Sequence, residues 1–169
     1  SAYRRDFNWP VLRIGMGGMT LGVIIGGLTA SIVIEWVVTL LIGMMGFLFA
    51  LDQLIRKKLS QAKKEAKINH SKGYFWCTIA GFTSFISHTG GPPWQIFTLP
   101  LGLAKSVFVG TSVIVFSYCN VIKLIPYIWL GQIDGLSIQV SIIMIIPATI
   151  AVYMGVKLVK LIPEDTFFK

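Results

Sequence analysis

His88-Thr89-Gly90-Gly91-Pro92-Pro93 interrupts a stretch of chain apolar enough to lie inside a bilayer. Paired glycines and prolines cannot continue a helix, because glycine loosens the backbone and proline lacks the N–H that the helix needs. Backbone that stops being helical at membrane depth must find its hydrogen-bond partners on protein or in a water-lined cavity, since lipid offers none. The break is therefore the best sequence pointer to function.

The segments on either side of the break are short. Residues 73–87 form a run that is marginal for a full crossing, and 94–104 form another, interrupted by Pro100, so neither spans comfortably alone. Further out, 106–131 and 136–162 are long apolar segments carrying Pro126 and Pro147, the latter predicting a kink satisfied by neighbouring helices. Toward the N-terminus, 10–33 and 36–55 are each long enough to cross, and a tight turn at Ile34-Glu35 makes them a helical hairpin. Pro10 suits the first turn of the first helix. Gly18, Gly22, Gly26 and Ala30 recur at every fourth residue and predict a packing stripe for another helix, while Gly43, Gly46 and Ala50 supply small residues on the second. The expected organisation is 1–55 with two transmembrane helices, a basic linker at 56–72, and 73–169 with the broken hairpin and two more transmembrane helices. The fold class is all-α: a polytopic membrane helical bundle.

Composition excludes a soluble domain: 54% of the 169 residues are apolar, 13% are charged, and the mean hydropathy is +0.74. Of fifteen Lys and Arg, seven fall in the linker (Arg56, Lys57, Lys58, Lys63, Lys64, Lys67, Lys72), opposed there by Glu65 alone. Such a run can bind nucleic acid or lie on a membrane surface. Between spanning segments it reads more simply as a cytoplasmic loop obeying the positive-inside rule. Cys77 and Cys119 sit in apolar segments without metal-like spacing and are expected to be reduced packing residues. No nucleophile–base constellation, metal-ligand cluster or nucleotide loop is legible, so no enzyme, cofactor or metal is expected. Residues 1–9 lack the apolar core of a secretion signal, and the chain starts without Met, which suggests a fragment.

A weak internal repeat orders these segments. Gly22-Val23-Ile24-Ile25-Gly26 aligns with Ala151-Val152-Tyr153-Met154-Gly155 at a constant offset of 129, which also places Glu35 on Glu164. With a small gap, Phe7-Asn8-Trp9 parallels Ile133-Asp134-Gly135. The first and last helices would then be equivalent elements of two repeats. With the linker cytoplasmic, the first helix runs outward, in agreement with Arg4, Arg5 and Arg13 at its start, while Lys157 and Lys160 bring the last helix back inside. Equivalent helices are then antiparallel, provided that 73–104 enters and leaves on the cytoplasmic side as a re-entrant hairpin. The alternative is one long broken crossing.

Gly90-Gly91-Pro92-Pro93, then Leu99-Pro100-Leu101-Gly102-Leu103, Val109-Gly110-Thr111-Ser112 and Gly131-Gln132-Ile133-Asp134 occur in an order that resembles the second repeat of the TauE/SafE family of membrane transporters, the sulfite exporters. Phe7-Asn8-Trp9-Pro10 is similar to the corresponding turn of the first repeat. The resemblance covers nearly the whole chain and implies that it lacks the opening of the first repeat and the closing helix of the second. It implies a multi-pass protein of the bacterial inner membrane, exporting small anions such as sulfite or organosulfonates, with protons or ions as coupling partners and no nucleic acid. In one departure, His88 to Trp94 has fewer glycines and more bulk than the family's loop, so the resemblance does not by itself carry over the family's substrate range.

The candidate substrate-binding residues are His88, Thr89, Gly90, Gly91, Pro92, Trp94, Gln95, Thr111, Ser112, Asn120 and Lys123. Gly90 and Gly91 let the backbone approach a ligand, and a helix starting at Trp94 would turn its positive end toward an anion, with Gly90, Gly91, Trp94 and Gln95 as donors. The plainer reading is a tight interhelical turn. Thr111 and Ser112 either donate to the ligand or bond back to the preceding turn. Ser112 and Lys123 fall within about 20° on one helix face, with Asn120 near it. Lys123 either faces an interior cavity or snorkels to the interface. His88 is either a loop anchor or a proton-coupling group. Three functions remain open, in this order: a secondary transporter of small anions using a midplane site, a membrane scaffold that packs through its small-residue stripes and transports nothing, and an electrostatic lipid or nucleic-acid binder acting through 56–72.

Overall fold

The computed structural model describes residues 6–32, 34, 36–40, 42–44, 46, 47, 50, 51 and 67–163. Most of the basic linker, together with Arg4, Arg5, Glu35 and Glu164, lies outside the described residues. The elements are α1 (Trp9–Thr29), α2 (His70–Ser87), α3 (Gly91–Thr98) with a 3-10 turn at Leu99–Leu101, α4 (Lys105–Trp129) and α5 (Gly135–Leu161). The described residues between 36 and 51 are also helical, and no strand occurs among the described residues. Trp9–Thr29, Lys105–Trp129 and Ile138–Leu161 are long and apolar enough to cross a membrane.

Local chemistry sets the helix starts. Asn8 and Asn69 are both extended, and each accepts a 3.1 Å hydrogen bond through Oδ1, from Val11 N and Lys72 N respectively. These are N-caps satisfying one orphan donor of the first turn. Asn69 accounts for α2 starting three residues before the expected 73. The break is shorter than the sequence suggested: only residues 88–90 are non-helical, and the next helix starts at Gly91, not Trp94. Pro92 and Pro93 lie in the first turn of α3, where an N–H has no intrahelical acceptor and its loss costs nothing.

α1, α2 and α4 run in the same direction. Along α1, Gly18 meets Cys77, Gly22 meets Thr78 and Phe82, and Gly26 meets Phe85 on α2. A methyl group on Gly22 would lie 2.1 Å from the Thr78 carbonyl oxygen, so the stripe is a helix–helix seam with backbone against backbone. On its other side α1 tracks α4: Asn8 N donates to Thr111 Oγ1, Thr20 Oγ1 lies 2.9 Å from Tyr118 Oη, and Gly27 faces Pro126. The shared interior holds Val11, Ile14, Met19, Cys77, Trp94, Val115 and Cys119.

α3 folds back along α2. Gly90 packs on Ala80 and Ser84, and the Phe97 ring returns to Gly73, where a methyl group would meet it at 2.8 Å. Both ends of the α2–α3 hairpin therefore sit at the level where α1 begins, and α4 starts from there. A single long crossing would carry α3 onward instead. At that same end Lys105 Nζ donates to Val159 O (2.8 Å) and to Ile162 O. The C-terminus of α5 thus lies beside the start of α4, and α5 runs opposite to α1. α5 itself is exposed along its described length except at Gly155, Val156 and Val159, which are half-buried.

Candidate functional site

A helix that stops inside an apolar layer leaves its last carbonyls without partners, and at the end of α2 those of Thr83, Ser84 and Phe85 are met by specific donors. His88 takes the left-handed conformation (φ 55, ψ 21), and its N–H turns back to Thr83 O. Thr89 N (3.3 Å) and Ser87 Oγ (3.2 Å) donate to the same oxygen, and Ser87 Oγ lies 2.7 Å from Thr89 Oγ1. The next two carbonyls are capped from α4. Lys123 Nζ donates to Ser84 O (3.1 Å) and Ser84 Oγ (3.2 Å), and Tyr127 Oη donates to Phe85 O (2.9 Å). Cys119 Sγ lies 3.8 Å from the same Ser84 Oγ, and Phe85 stacks on Tyr127.

Lys123 is only 4% exposed and points inward rather than snorkelling. Its ammonium sits at the negative end of the α2 dipole. Its hydrogen bonds go to the two oxygens of Ser84, so one of its three N–H groups remains for another partner. Charges at this depth are expensive and face an interior site.

The two glycines of the break differ. Gly90 is buried, and a methyl there would lie 2.6 Å from Ala80 O and 2.8 Å from Ser84 Cβ, so its closeness is to protein. Nothing lies within 4 Å of a methyl on Gly91, which faces open space at the start of α3. The Trp94 amide, expected as a ligand donor, instead bonds Gly90 O at 3.3 Å. Pro92 has no donor to offer and is half-buried in the first turn.

The other candidates separate by depth. The Trp94 indole Nε1 donates to Ser112 Oγ at 2.8 Å, fastening α3 to α4. Thr111 Oγ1 donates to Val107 O (2.7 Å) and accepts from Asn8 N (2.9 Å), fastening the start of α1. Both hydroxyls belong to a seam nearer the start of α4 than Lys123. Gln95 and Asn120 are exposed and are not gathered with Lys123, and exposed His88 has its ring 6.4 Å from that of Tyr127. Sequence reasoning missed Ser84 and Tyr127. The one available signal was the polar run Thr83-Ser84 and Ser87 just before the break, in an otherwise apolar segment. No group of metal-ligating side chains occurs among the described residues.

Long apolar helices surrounding a hairpin that ends within them, tipped by a buried cation, define an integral membrane protein of the transporter class. The chain belongs to the sulfite exporter TauE/SafE family, whose model it matches over residues 1–169. No curated protein and no solved structure matches it.

Proposed function

We propose that the protein is a secondary transporter that exports small sulfur-containing anions such as sulfite or organosulfonates, by alternating access around the hairpin tip. The observation that carries this reading is Lys123: a buried ammonium with a donor to spare, held by the same Ser84 on which Gly90 of the break packs. On this reading the side-chain cation and the N-terminus of α3 are the two positive elements offered to an oxyanion. Half-helix ends within the membrane are the usual site architecture of secondary carriers.

Charge sorting supports an orientation in the membrane. The level holding Asn69, the starts of α1 and α4 and the end of α5 carries Arg13, Lys67, Lys72, Lys105, Lys157 and Lys160, while the opposite turns at 30–34 and 130–134 contain no Lys or Arg. By the positive-inside rule the first level is cytoplasmic, as is the linker. The hairpin then enters from the cytoplasm and presents its tip toward the far side.

The test is substrate flux in proteoliposomes containing the full-length protein, with sulfite, thiosulfate and an alkyl sulfonate as probes. Lys123→Ala is expected to lower flux at least about tenfold, the loss of one charge-assisted hydrogen bond to the anion. Absence of flux with all three probes would sink the proposal and leave the scaffold reading.

A further inference from the structure

We propose that the Lys123 ammonium occupies the position that a free alkali cation takes in ion-coupled carriers, so that this protein binds and moves its anion without sodium. The assignment rests on the reading of the tip as an anion site. In secondary transporters, coupling cations are held by backbone carbonyls at helix ends interrupted within the membrane, because those oxygens can replace a hydration shell. The end of α2 supplies such oxygens. Ser84 presents both its carbonyl and its hydroxyl, at 3.1 and 3.2 Å, and what they hold is Nζ of Lys123, delivered from the parallel helix α4.

The surroundings leave the ammonium without a neutralising partner. Among the described residues, the titratable groups facing Lys123 are Cys119 one turn before it on α4, Tyr127 one turn after it, and His88 at the tip, whose ring faces Tyr127. None is a carboxylate. At this level α1 contributes Val23, Gly26 and Gly27, which carry no charge. The ammonium is therefore balanced by oxygen dipoles alone, as a bound metal cation would be before its anionic co-substrate arrives. A sodium ion brought to the same two oxygens would meet a like charge at contact distance. Tethering the cation to α4 also removes the need to recruit it, and the arriving anion supplies the missing negative group.

Thermal unfolding of the purified full-length protein tests the cation assignment without any transport assay. Wild type and Lys123→Ala are melted in choline, sodium, ammonium and methylammonium chloride at matched ionic strength. Wild type is expected to melt at the same temperature in sodium as in choline. Lys123→Ala is expected to melt lower in choline and to recover by about 3 °C or more in ammonium or methylammonium, which refill the vacated place. A sodium-specific rise in wild type, or a variant that responds to none of the small cations, overturns the proposal. Should Lys123→Ala fail to fold, wild-type sulfite flux decides: the same rate with choline replacing sodium supports the tethered cation, and a sodium-dependent rate overturns it. Failure to transport any probe would instead strike the function proposed above, and the melting comparison would stand apart from it.

Discussion

A methyl group on Gly90 would press on the Ala80 carbonyl and on Ser84, whereas one on Gly91 would meet nothing. Adjacent glycines in one motif thus have separable duties, the first in packing and the second at the open tip. Gly90→Ala is expected to cost about 1–3 kcal/mol of stability through overpacking, read as a lower melting temperature, while Gly91→Ala should melt like wild type. Ser112→Ala leaves the Trp94 indole N–H unpaired in a buried seam and should cost about 1–3 kcal/mol. If that variant melted like wild type but transported poorly, Ser112 would belong to the substrate rather than to the seam. At this scale the sequence was only partly legible. The angular position of Lys123 could be read from helical periodicity, but periodicity gives a face and not a depth, so inward and snorkelling orientations were equivalent until Ser84 was seen beneath it. Ser84 stood in a visible polar run, but its role was not readable there, because a serine in an apolar helix looks the same whether it bonds its own preceding turn or receives an ammonium from a neighbour.

The hairpin is the element that gives the bundle its sidedness. Its reversal at 88–90, with Phe97 back beside Gly73, puts residue 67 and the end of α5 on one side and the turn at 130–134 on the other. Single cysteines replacing Lys67, Lys160 and Gln132 are expected to react with a membrane-impermeant maleimide from opposite sides, the first two together and the third alone. Native Cys77 and Cys119 are fully buried and should stay silent. Labelling of positions 67 and 132 from the same side would contradict the arrangement. The reversal was legible because Gly-Gly-Pro-Pro cannot extend a helix. Its extent was misread, since a proline pair that ends one helix is equally suited to begin the next. The stripe at Gly18, Gly22 and Gly26 was readable as packing from spacing alone, because only small residues let two backbones approach so closely.

Across the molecule, α1, α2 and α4 form a tight parallel set, and α5 stands apart with most of its described side chains exposed. Lys105 joins α5 to the rest by donating to carbonyls at its C-terminal end, where an ammonium also meets the negative end of that helix dipole. Lys105→Met should loosen this attachment by about 1.5–3 kcal/mol, seen as faster trypsin cleavage after Lys157 and Lys160 in detergent or proteoliposomes. Unchanged cleavage would show that α5 is held by other means. The order of the helices and their charge bias were legible in the sequence, because membrane length and loop charge constrain them directly. The separation of α5 was not, since an apolar helix reads the same whether it faces lipid or protein.

The hairpin tip also sets how much of the membrane voltage an ion feels on its way out. Lys123, which marks the tip, lies six residues before the end of α4, about 9 Å of a helix roughly 37 Å long. In a uniform field, about a quarter of the potential remains beyond the tip, or roughly 0.6 kcal/mol per charge for each 100 mV. An anion that has crossed this field from the cytoplasmic side to the tip has the larger part of its electrical work behind it. The release step should therefore depend only shallowly on voltage, and the steep dependence should belong to loading.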